Sequence, residues 1–442
     1  MTGERGPRRH LLLRGARVVD PAAGEDRVRD LRVLDGTIRE EAPPGAPPPE
    51  VLDLAGKVVA PAFLDPHVHF REPGDGRSET VASGLAAAAR GGYAAVFAMA
   101  NTDPPNDRPG ITEAMLRSAR ASGSPVRLCP VAAATVGLAG REVADLAAQK
   151  AAGALAVSDD GRPVEDDAVM EAVLARARDI DLPVFSHCET PSLHPGGAAN
   201  AGEPARRLGL RGIPPESEAR MVRRDLALAE RLRTPVHLCH LSTAESVEAV
   251  RRAKGRGVPA TAEAAPHHLL LLDEDLLRTL PGGEADPHLK MNPPLRAAAD
   301  REAVVAGLLD GTLDCIATDH APHPASSKRA CGFAAAAFGV IGLENAFAVL
   351  HDRLVATGRM PLRVLLERMG AGAARVARVP APSLAPGSPA AAVVLDLEAR
   401  VPLRAETFAS LSRNCPFDGE VLRGRVAGLL LGDRWLPGGG GL

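Results

Sequence analysis

The pattern of apolar and polar residues divides the chain into two β-rich ends and a middle in which strands and helices alternate. Between residues 63 and 374, apolar runs of strand length are separated by amphipathic segments of helix length. The apolar runs cover residues 63–68, 93–99, 126–133, 155–157, 184–188, 236–241, 259–264 and 315–318. The amphipathic segments include residues 79–90, 141–152, 165–177, 216–232, 245–256 and 301–309. Eight strands alternating with helices predict an α/β fold of the (β/α)8 barrel type. An open doubly wound sheet would need a glycine-rich phosphate loop after an early strand, and the sequence offers none.

The two ends of the chain carry short strand patterns interrupted by turns. These patterns cover residues 11–19, 30–34 and 51–59 before the barrel, and 392–397 and 421–430 after it. A proline-rich stretch at 41–50 predicts an exposed loop. We expect the two ends to pair in a small β-sandwich beside the barrel. The expected division is 1–60 and 379–442 for the sandwich and 61–378 for the barrel.

Composition narrows the class of protein. The chain has 442 residues, 45% of them hydrophobic, and a formal net charge of -3. This charge gives no basis for binding nucleic acid or an anionic membrane. No apolar run approaches the roughly 18 residues of a membrane span, so a cytoplasmic protein is expected. The six cysteines include no Cys-x-x-Cys pair, and Cys188 and Cys239 are expected to act as small core residues rather than ligands.

Histidine or aspartate follows five of the eight predicted strands, at the barrel end where active sites form. The first strand ends in His67 and His69, which strand alternation places on one side. Alone, this pair could equally be two hydrogen-bonded core histidines. The later strands supply four further candidates, Asp160, His187, His240 and Asp319. Imidazole and carboxylate suit Zn²⁺, and six ligands exceed the need of one tetrahedral ion, so two ions sharing a bridging group are predicted.

Longer motifs surround these candidates. They occupy residues 67–74 (HVHFREPG), 101–102 (NT), 159–161 (DDG), 290–295 (KMNPPL), 317–323 (ATDHAPH) and 414–419 (NCPFDG). Together they resemble, from end to end, the class I bacterial dihydroorotases of the amidohydrolase superfamily. The resemblance implies a zinc-dependent cyclic amide hydrolase. Its reaction would be the reversible cyclisation of N-carbamoyl-L-aspartate to (S)-dihydroorotate in de novo pyrimidine (UMP) biosynthesis.

The resemblance also implies a role for each candidate metal ligand. His67 and His69 would hold one zinc ion together with Asp319, and His187 and His240 would hold the second. Asp160 would bridge the two ions, where many superfamily members use a carbamylated lysine. Asp319 would also be the catalytic residue, acting as general acid and base for a metal-activated bridging hydroxide.

A second set of residues would bind the anionic substrate. Arg71 lies two residues after His69 and can offer a bidentate fork to a carboxylate, although by itself it could equally pair with Glu72. The substrate contacts implied by the resemblance are His69, Arg71, Asn101, Asn292, His323, Phe338 and Gly339. His267, His268 and His320 are expected to have packing roles instead.

Two other functions remain open at this level. A hydantoinase or allantoinase would share the barrel, but those enzymes bridge their metals with carbamylated lysine, which Asp160 argues against. A dihydroorotase could also depend on assembly with aspartate transcarbamoylase. A homodimer is a further possibility. The expected partner common to the enzyme hypotheses is a small-molecule substrate.

Overall fold

The computed structural model describes residues 9–280 and 282–438, in which strands and helices follow the predicted order. The strands are β1 (His10–Asp20), β2 (Glu25–Leu34), β3 (Thr37–Arg39), β4 (Glu50–Asp53), β5 (Val58–Pro61), β6 (Phe63–Val68), β7 (Tyr93–Ala98), β8 (Arg127–Ala132), β9 (Ala156–Val157), β10 (Phe185–Ser186), β11 (Ala199–Asn200), β12 (Gly212–Ile213), β13 (Val236–Leu238), β14 (Ala260–Ala264), β15 (Cys315–Ile316), β16 (Ala391–Pro402), β17 (Val421–Leu431) and β18 (Arg434–Pro437). The α-helices are α1 (Val81–Arg90), α2 (Pro109–Ala121), α3 (Leu146–Ala151), α4 (Asp167–Asp179), α5 (Glu203–Arg207), α6 (Glu216–Leu232), α7 (Ala244–Gly255), α8 (Pro266–Leu270), α9 (Ala298–Asp310), α10 (Gly332–Ala335), α11 (Ala346–Leu350), α12 (Leu362–Met369) and α13 (Ala371–Ala377).

Eight parallel strands form a closed barrel. Strands β6 to β9 pair in order, and so do β10, β13, β14 and β15. A parallel bridge between Val157 and Val184 joins the two halves on one side, and a bridge between Val68 and His320 joins them on the other. The predicted (β/α)8 barrel is therefore confirmed. Because the strands are parallel, their C-terminal ends share one mouth, which brings the residues that follow them together.

The local sequence explains most of the element bounds. Helix α6 has the predicted bounds, whereas α3 begins five residues later than its amphipathic pattern suggests. There Asp145 accepts a hydrogen bond from the amide of Ala148 and caps the helix at that point. The apolar run at 51–59 divides into β4 and β5 around a turn at Gly56, where φ is 78°.

Strands from both ends of the chain pair in one sheet beside the barrel, as the sequence predicts. The order is β18-β17-β16-β5-β1-β2-β3, with β4 also pairing with β1. The contact between the two ends is the antiparallel pairing of β16 with β5, and β5 is followed directly by the first barrel strand. The first metal-ligand candidates therefore follow a strand that this sheet holds in place.

The residues that face the barrel interior form their own buried cluster with α13. It includes Leu64, Phe97, Phe185, Cys239 and Cys315. Phe97 and Phe185 lie with ring centroids 6.2 Å apart. The barrel is thus a packed core rather than a pore, and the space for chemistry lies above it.

Within the described part of the chain, no helix combines the length and the apolarity needed to cross a membrane. All six cysteines are unpaired thiols, and all except Cys331 are buried.

Candidate active site

The six predicted metal ligands meet at the barrel mouth. His67 ends β6 with His69 just beyond it, and Asp160, His187 and His240 follow β9, β10 and β13. The sixth, Asp319, follows β15. None of the six is more than 5% exposed. Strand ends that are far apart in sequence have therefore produced one buried cluster of imidazoles and carboxylates.

Asp160 lies at the centre of this cluster. Its Oδ1 is 3.2 Å from His187 Nδ1, 3.3 Å from His67 Nε2 and 3.5 Å from His240 Nε2. Its other oxygen, Oδ2, is 3.4 Å from His69 Nε2. One carboxylate thus faces all four histidines, and its Oδ1 alone faces members of both pairs.

Asp319 faces the two histidines of the first strand. Its Oδ1 is 3.1 Å from His69 Nε2 and 3.6 Å from His67 Nε2. Its backbone has a φ of 49°, and Arg71 and His240 also have positive φ, at 55° and 33°. Non-glycine residues rarely adopt this region, and such backbone strain collects where a fold must aim particular side chains.

Outer partners set the protonation of three histidines. Glu263 Oε1 lies 2.9 Å from His67 Nδ1, and Glu189 Oε2 lies 3.0 Å from His187 Nε2. An ionised carboxylate can only accept, so each of these ring nitrogens carries the proton. Asn101 Oδ1 holds His69 Nδ1 in the same way at 2.7 Å. The opposite nitrogens therefore direct lone pairs into the cluster, the arrangement that second partners impose on metal-bound histidines.

These residues fit a bound cation. His67 Nε2 is buried without a hydrogen-bond partner among the described residues. Two of the groups whose ligand atoms all lie within 4.8 Å of one another consist of cluster residues alone: His67 with His69 and Asp319, and His67 with Asp160 and His240. Inward lone pairs beside two buried carboxylates repel one another unless a positive charge lies between them. The demand for positive charge also appears at His187, where burial disfavours a charged ring but the accepting carboxylates of Asp160 and Glu189 still raise its pKa to about 10.

Cys239 lies nearer to the cluster than strand alternation predicts. Its thiol is in the interior core, as expected, yet it comes within 4.8 Å of ligand atoms of His67 and Glu263. Burial raises the pKa of Cys239 above its ordinary value. The protonated thiol packs against the back of His67 as a small core side chain.

Arg71 lies beside the cluster and has no carboxylate partner among the residues that the structure describes. Its side chain is half-buried, and its Nε is shielded from solvent with no hydrogen-bond partner in the described structure. Glu72 instead accepts hydrogen bonds from Val81 N at 2.7 Å and Ser118 Oγ at 2.6 Å. The surface ion pair that Arg71 could have formed with Glu72 is therefore absent, and the guanidinium remains available to an anion.

The other predicted substrate residues surround the cluster but are engaged by protein groups. Asn101 faces His69 and, at 3.4 Å, Asp160; Asn292 Nδ2 donates to Glu189 Oε2 at 2.8 Å. His323 Nε2 donates to the Phe338 carbonyl at 2.7 Å. Burial, followed by the nearby Arg71 charge, lowers the pKa of His323 to about 3, so its ring is neutral.

Gly339 is required by close packing. Its φ is 117°, and a Cβ there would come within 2.5 Å of the Ala321 Cβ. Its amide donates to the Lys290 carbonyl at 3.0 Å. The segment carrying Phe338 and Gly339 therefore lies directly against the end of the eighth strand.

Three histidines expected to have packing roles are buried and bonded in different ways. His268 Nε2 donates to the Pro293 carbonyl at 2.8 Å. His320 accepts from Gly342 N through Nδ1 at 3.1 Å, so Nε2 carries its proton and donates to Glu79 at 3.2 Å. His267 contacts the His268 ring, and its Nε2 has no hydrogen-bond partner among the described residues.

Sequence reasoning missed the carboxylates behind the histidines. Glu189 lies two residues after His187, and Glu263 is a charged residue within the apolar strand β14. A glutamate inside an apolar strand is expected to be buried, and a buried carboxylate needs a hydrogen-bond or charge partner. That requirement was the signal in the sequence that could have identified Glu263. Asp65 is a third case: it accepts from Thr318 N at 3.1 Å and Thr318 Oγ1 at 2.5 Å, and so anchors the residue before Asp319.

A closed (β/α)8 barrel with histidines and aspartates converging at its mouth defines the class of protein: a hydrolase of the amidohydrolase type, with a cluster compatible with a metal site. Solved structures agree with this fold. An L-hydantoinase (dihydropyrimidinase) from Arthrobacter aurescens matches with a TM-score of 0.81 and 21% identity, covering 98% of this chain and 97% of its own. A D-hydantoinase from Thermus sp. matches with a TM-score of 0.80 and 23% identity, covering 97% and 96%.

Sequence comparison narrows the class to a family. Residues 56–246 match the family model described as Dihydro-orotase-like. A dihydroorotase from Desulforapulum autotrophicum is 44% identical over 94% of this chain and 96% of its own length. One from Anaeromyxobacter dehalogenans is 46% identical over 96% and 97%. The chain belongs to the dihydroorotase family, whose members are cyclic amide hydrolases.

Proposed function

We propose that this chain catalyses the reversible cyclisation of N-carbamoyl-L-aspartate to (S)-dihydroorotate, the dihydroorotase step of pyrimidine biosynthesis. The observation that carries the proposal is the convergence of inward histidine lone pairs on Asp160 and Asp319, beside an arginine with no carboxylate partner. The first feature suits an amide hydrolase that needs a cation, and the second suits an anionic substrate.

The cation in this proposal is Zn²⁺, with two ions per chain. His67, His69 and Asp319 would hold one, and His187 and His240 the other. Asp160 would lie between them, since its two oxygens already face both pairs of histidines. When bound, the metal supplies Lewis-acid chemistry that polarises the amide carbonyl and lowers the pKa of water.

Asp319 is the proposed proton carrier. In the hydrolytic direction its carboxylate would take a proton from the attacking water and pass it to the ring nitrogen as the C–N bond breaks. In the cyclising direction the same oxygen would take the proton from the ureido nitrogen and give it to the departing hydroxyl, which leaves as water. Burial opposes the charge of Asp319, but the facing histidines His69, His67 and His240 outweigh it and lower the pKa of the carboxyl well below its usual range. Asp319 is therefore ionised and ready to accept a proton.

Arg71 is the proposed anchor for the substrate carboxylate. The guanidinium is the group beside the cluster whose buried Nε has no partner in the described chain, so a carboxylate there would satisfy a donor that is otherwise unpaired. His69 and His323 lie close enough to feel the Arg71 charge, and Asn101 is hydrogen-bonded to His69. Asn292, which donates to Glu189, would contribute a further contact from the 290–295 motif. Phe338 and Gly339 would contribute backbone groups to the ring-binding edge.

The hydantoinases share the fold, but at 20–24% identity that likeness carries no inference about substrate. Relatives named dihydroorotase at 42–46% identity over most of the chain favour the assignment proposed here. A homodimer and a complex with aspartate transcarbamoylase remain predictions.

The proposed activity is tested by following ring opening of dihydroorotate by its absorbance, with hydantoin and allantoin as competing substrates. We expect dihydroorotate turnover at least about 100-fold above either alternative, because each lacks the carboxylate that Arg71 would bind. Zinc-loaded protein that hydrolyses hydantoin or allantoin but not dihydroorotate would overturn the proposal. Repeating the assay with aspartate transcarbamoylase separates an independent enzyme from a partner-dependent one.

A further inference from the structure

The motif at 414–419 has no part in the chemistry described so far, yet its first residue reaches the barrel mouth. Asn414 follows the eighth strand by more than ninety positions and is 2% exposed. It lies between the residues after strand β15 and the segment that carries Phe338 and Gly339. A buried amide in this place needs partners for both of its polar atoms.

We propose that Asn414 is a positioning residue that fixes His323 and Gly339 and thereby sets affinity for the substrate's carboxylate-bearing end. This inference rests on the proposed function. The Asn414 Oδ1 accepts from His323 N at 3.2 Å. Its Nδ2 donates to the carbonyls of Ala321 at 2.9 Å and Gly339 at 3.1 Å. One side chain thus joins both halves of the proposed substrate edge.

The partners demand an asparagine. His323 N can only donate and the two carbonyls can only accept, so the amide orientation is determined by the backbone. An aspartate of the same shape would accept from His323 but would direct a carboxylate at two carbonyl oxygens. Both carbonyls would lose this donor in a buried place, which should loosen the contact between the two segments even though the Ala321 amide still donates to the Val340 carbonyl.

The segment that carries Asn414 is itself held by two buried carboxylates. Glu344 accepts from the amides of Ala409 and Ser410, both at 3.1 Å. Glu79 accepts from the Ser410 hydroxyl and, at 3.1 Å, from the Leu411 amide. Asn414 is therefore presented from a segment that has its own anchors, and its backbone carbonyl also accepts from the Ile341 amide at 3.0 Å.

Asp319 is positioned by different contacts. Thr318, the residue before it, is bound by Asp65 through both its amide and its hydroxyl. On the other side, His69 N donates to the His320 carbonyl at 2.8 Å. Loss of Asn414 should therefore disturb substrate binding while leaving Asp319, the proposed proton carrier, in place. KM should change much more than kcat.

The matched control is Asn345, which is also 2% exposed and also contacts this segment, through Cys415 Sγ at 3.2 Å. It touches neither His323 nor Gly339. We would compare Asn414→Asp and Asn345→Asp with the unchanged zinc-loaded chain, measuring KM and kcat for dihydroorotate, metal content and the melting temperature. Amide hydrogen exchange of peptides spanning 319–323 would be measured on the same samples without substrate. Asn414→Ala would be carried in parallel in case Asn414→Asp does not fold.

For the Asn414 variant we expect KM to rise by about tenfold or more, with kcat within about threefold and metal content unchanged. The Asn345 variant should keep the original KM. Exchange in 319–323 should rise only in the Asn414 variant. An unchanged KM, or equal increases in both variants, would overturn the inference. If the unchanged chain does not act on dihydroorotate, the proposed function has failed. Amide exchange alone then tests the positioning role of Asn414. Faster exchange in the Asn414 variant only would support that role, and equal exchange in both variants would refute it.

Discussion

Glu263 accepts a hydrogen bond from His67 at a distance of 2.9 Å between Oε1 and Nδ1, although 196 positions separate the two residues. Both are fully buried. The bond keeps the proton on the outer nitrogen of His67 and leaves Nε2 as a lone pair aimed into the cluster. The ability of this site to bind a cation thus depends on a residue of the seventh strand that does not face the cluster.

Replacing Glu263 by glutamine should weaken metal binding without removing a ligand. The amide can present its NH₂ group to His67 Nδ1 and so move the ring proton to the inner nitrogen. We expect about a 10- to 100-fold loss of zinc affinity, measured by competition with a chelator. Glu344→Gln is the control, because Glu344 is also shielded but contacts only the amides of Ala409 and Ser410. Equal affinity in the two variants would show that Glu263 does not tune His67.

Asp319→Asn should abolish most of the turnover while the metal stays bound. The asparagine oxygen can still act as a ligand, but the amide cannot accept and return a proton. A fall in kcat of about 100- to 10,000-fold is expected, with metal content measured on the same sample. Substantial activity in the metal-replete variant would assign the proton transfer to another group.

Arg71→Met should act on substrate binding. The variant removes the guanidinium whose Nε has no partner in the described chain, and keeps the apolar part of the side chain. We expect KM for dihydroorotate to rise by about 100-fold, as suits a lost charge-assisted pair, with a smaller change in kcat. Arg77→Met serves for comparison, since Arg77 pairs with Asp75 at the surface. A normal KM in the Arg71 variant would exclude it from the carboxylate pocket.

Lys328 should make folding stability depend on pH above neutrality. Its Nζ donates to the carbonyls of Lys290 and Ala337, both at 2.7 Å, and it has no carboxylate partner among the described residues. Burial, and then the charge of Lys290, lower the pKa of Lys328 to about 7. Between about pH 7 and 10, Lys328 is therefore protonated in the unfolded chain but not in the folded one. The free energy of unfolding should then rise with pH by up to about 1.4 kcal/mol per pH unit.

The Lys328→Met variant should lose this slope. The measurement is the free energy of unfolding in urea at pH 7, 8 and 9 for both proteins, compared as slopes because the variant also loses two hydrogen bonds. Parallel pH profiles would mean that Lys328 keeps an ordinary pKa in the folded chain.

The barrel was predictable because each strand and helix is encoded by its own local pattern of apolar residues. The candidate ligands were predictable for a related reason: parallel strands bring their C-terminal ends together whatever their spacing in sequence. Glu263 and Asn414 escaped because each acts through a long-range contact that no local pattern encodes. Glu189 lies only two residues from His187, but nothing in the local sequence distinguishes it from a solvated carboxylate. The hydrogen bond from His323 Nε2 to the Phe338 carbonyl was unpredictable for the same reason.

We propose that the converging histidines and aspartates hold two zinc ions bridged by Asp160, and that dihydroorotate turnover depends on them. The most direct test is to strip the purified chain of metal, titrate zinc back and measure bound zinc and dihydroorotate hydrolysis at each step. We expect no activity in the stripped chain, full activity at two ions per chain, and loss of the second ion in Asp160→Ala. Full activity in the stripped chain, or two tightly held ions in Asp160→Ala, would contradict the claim.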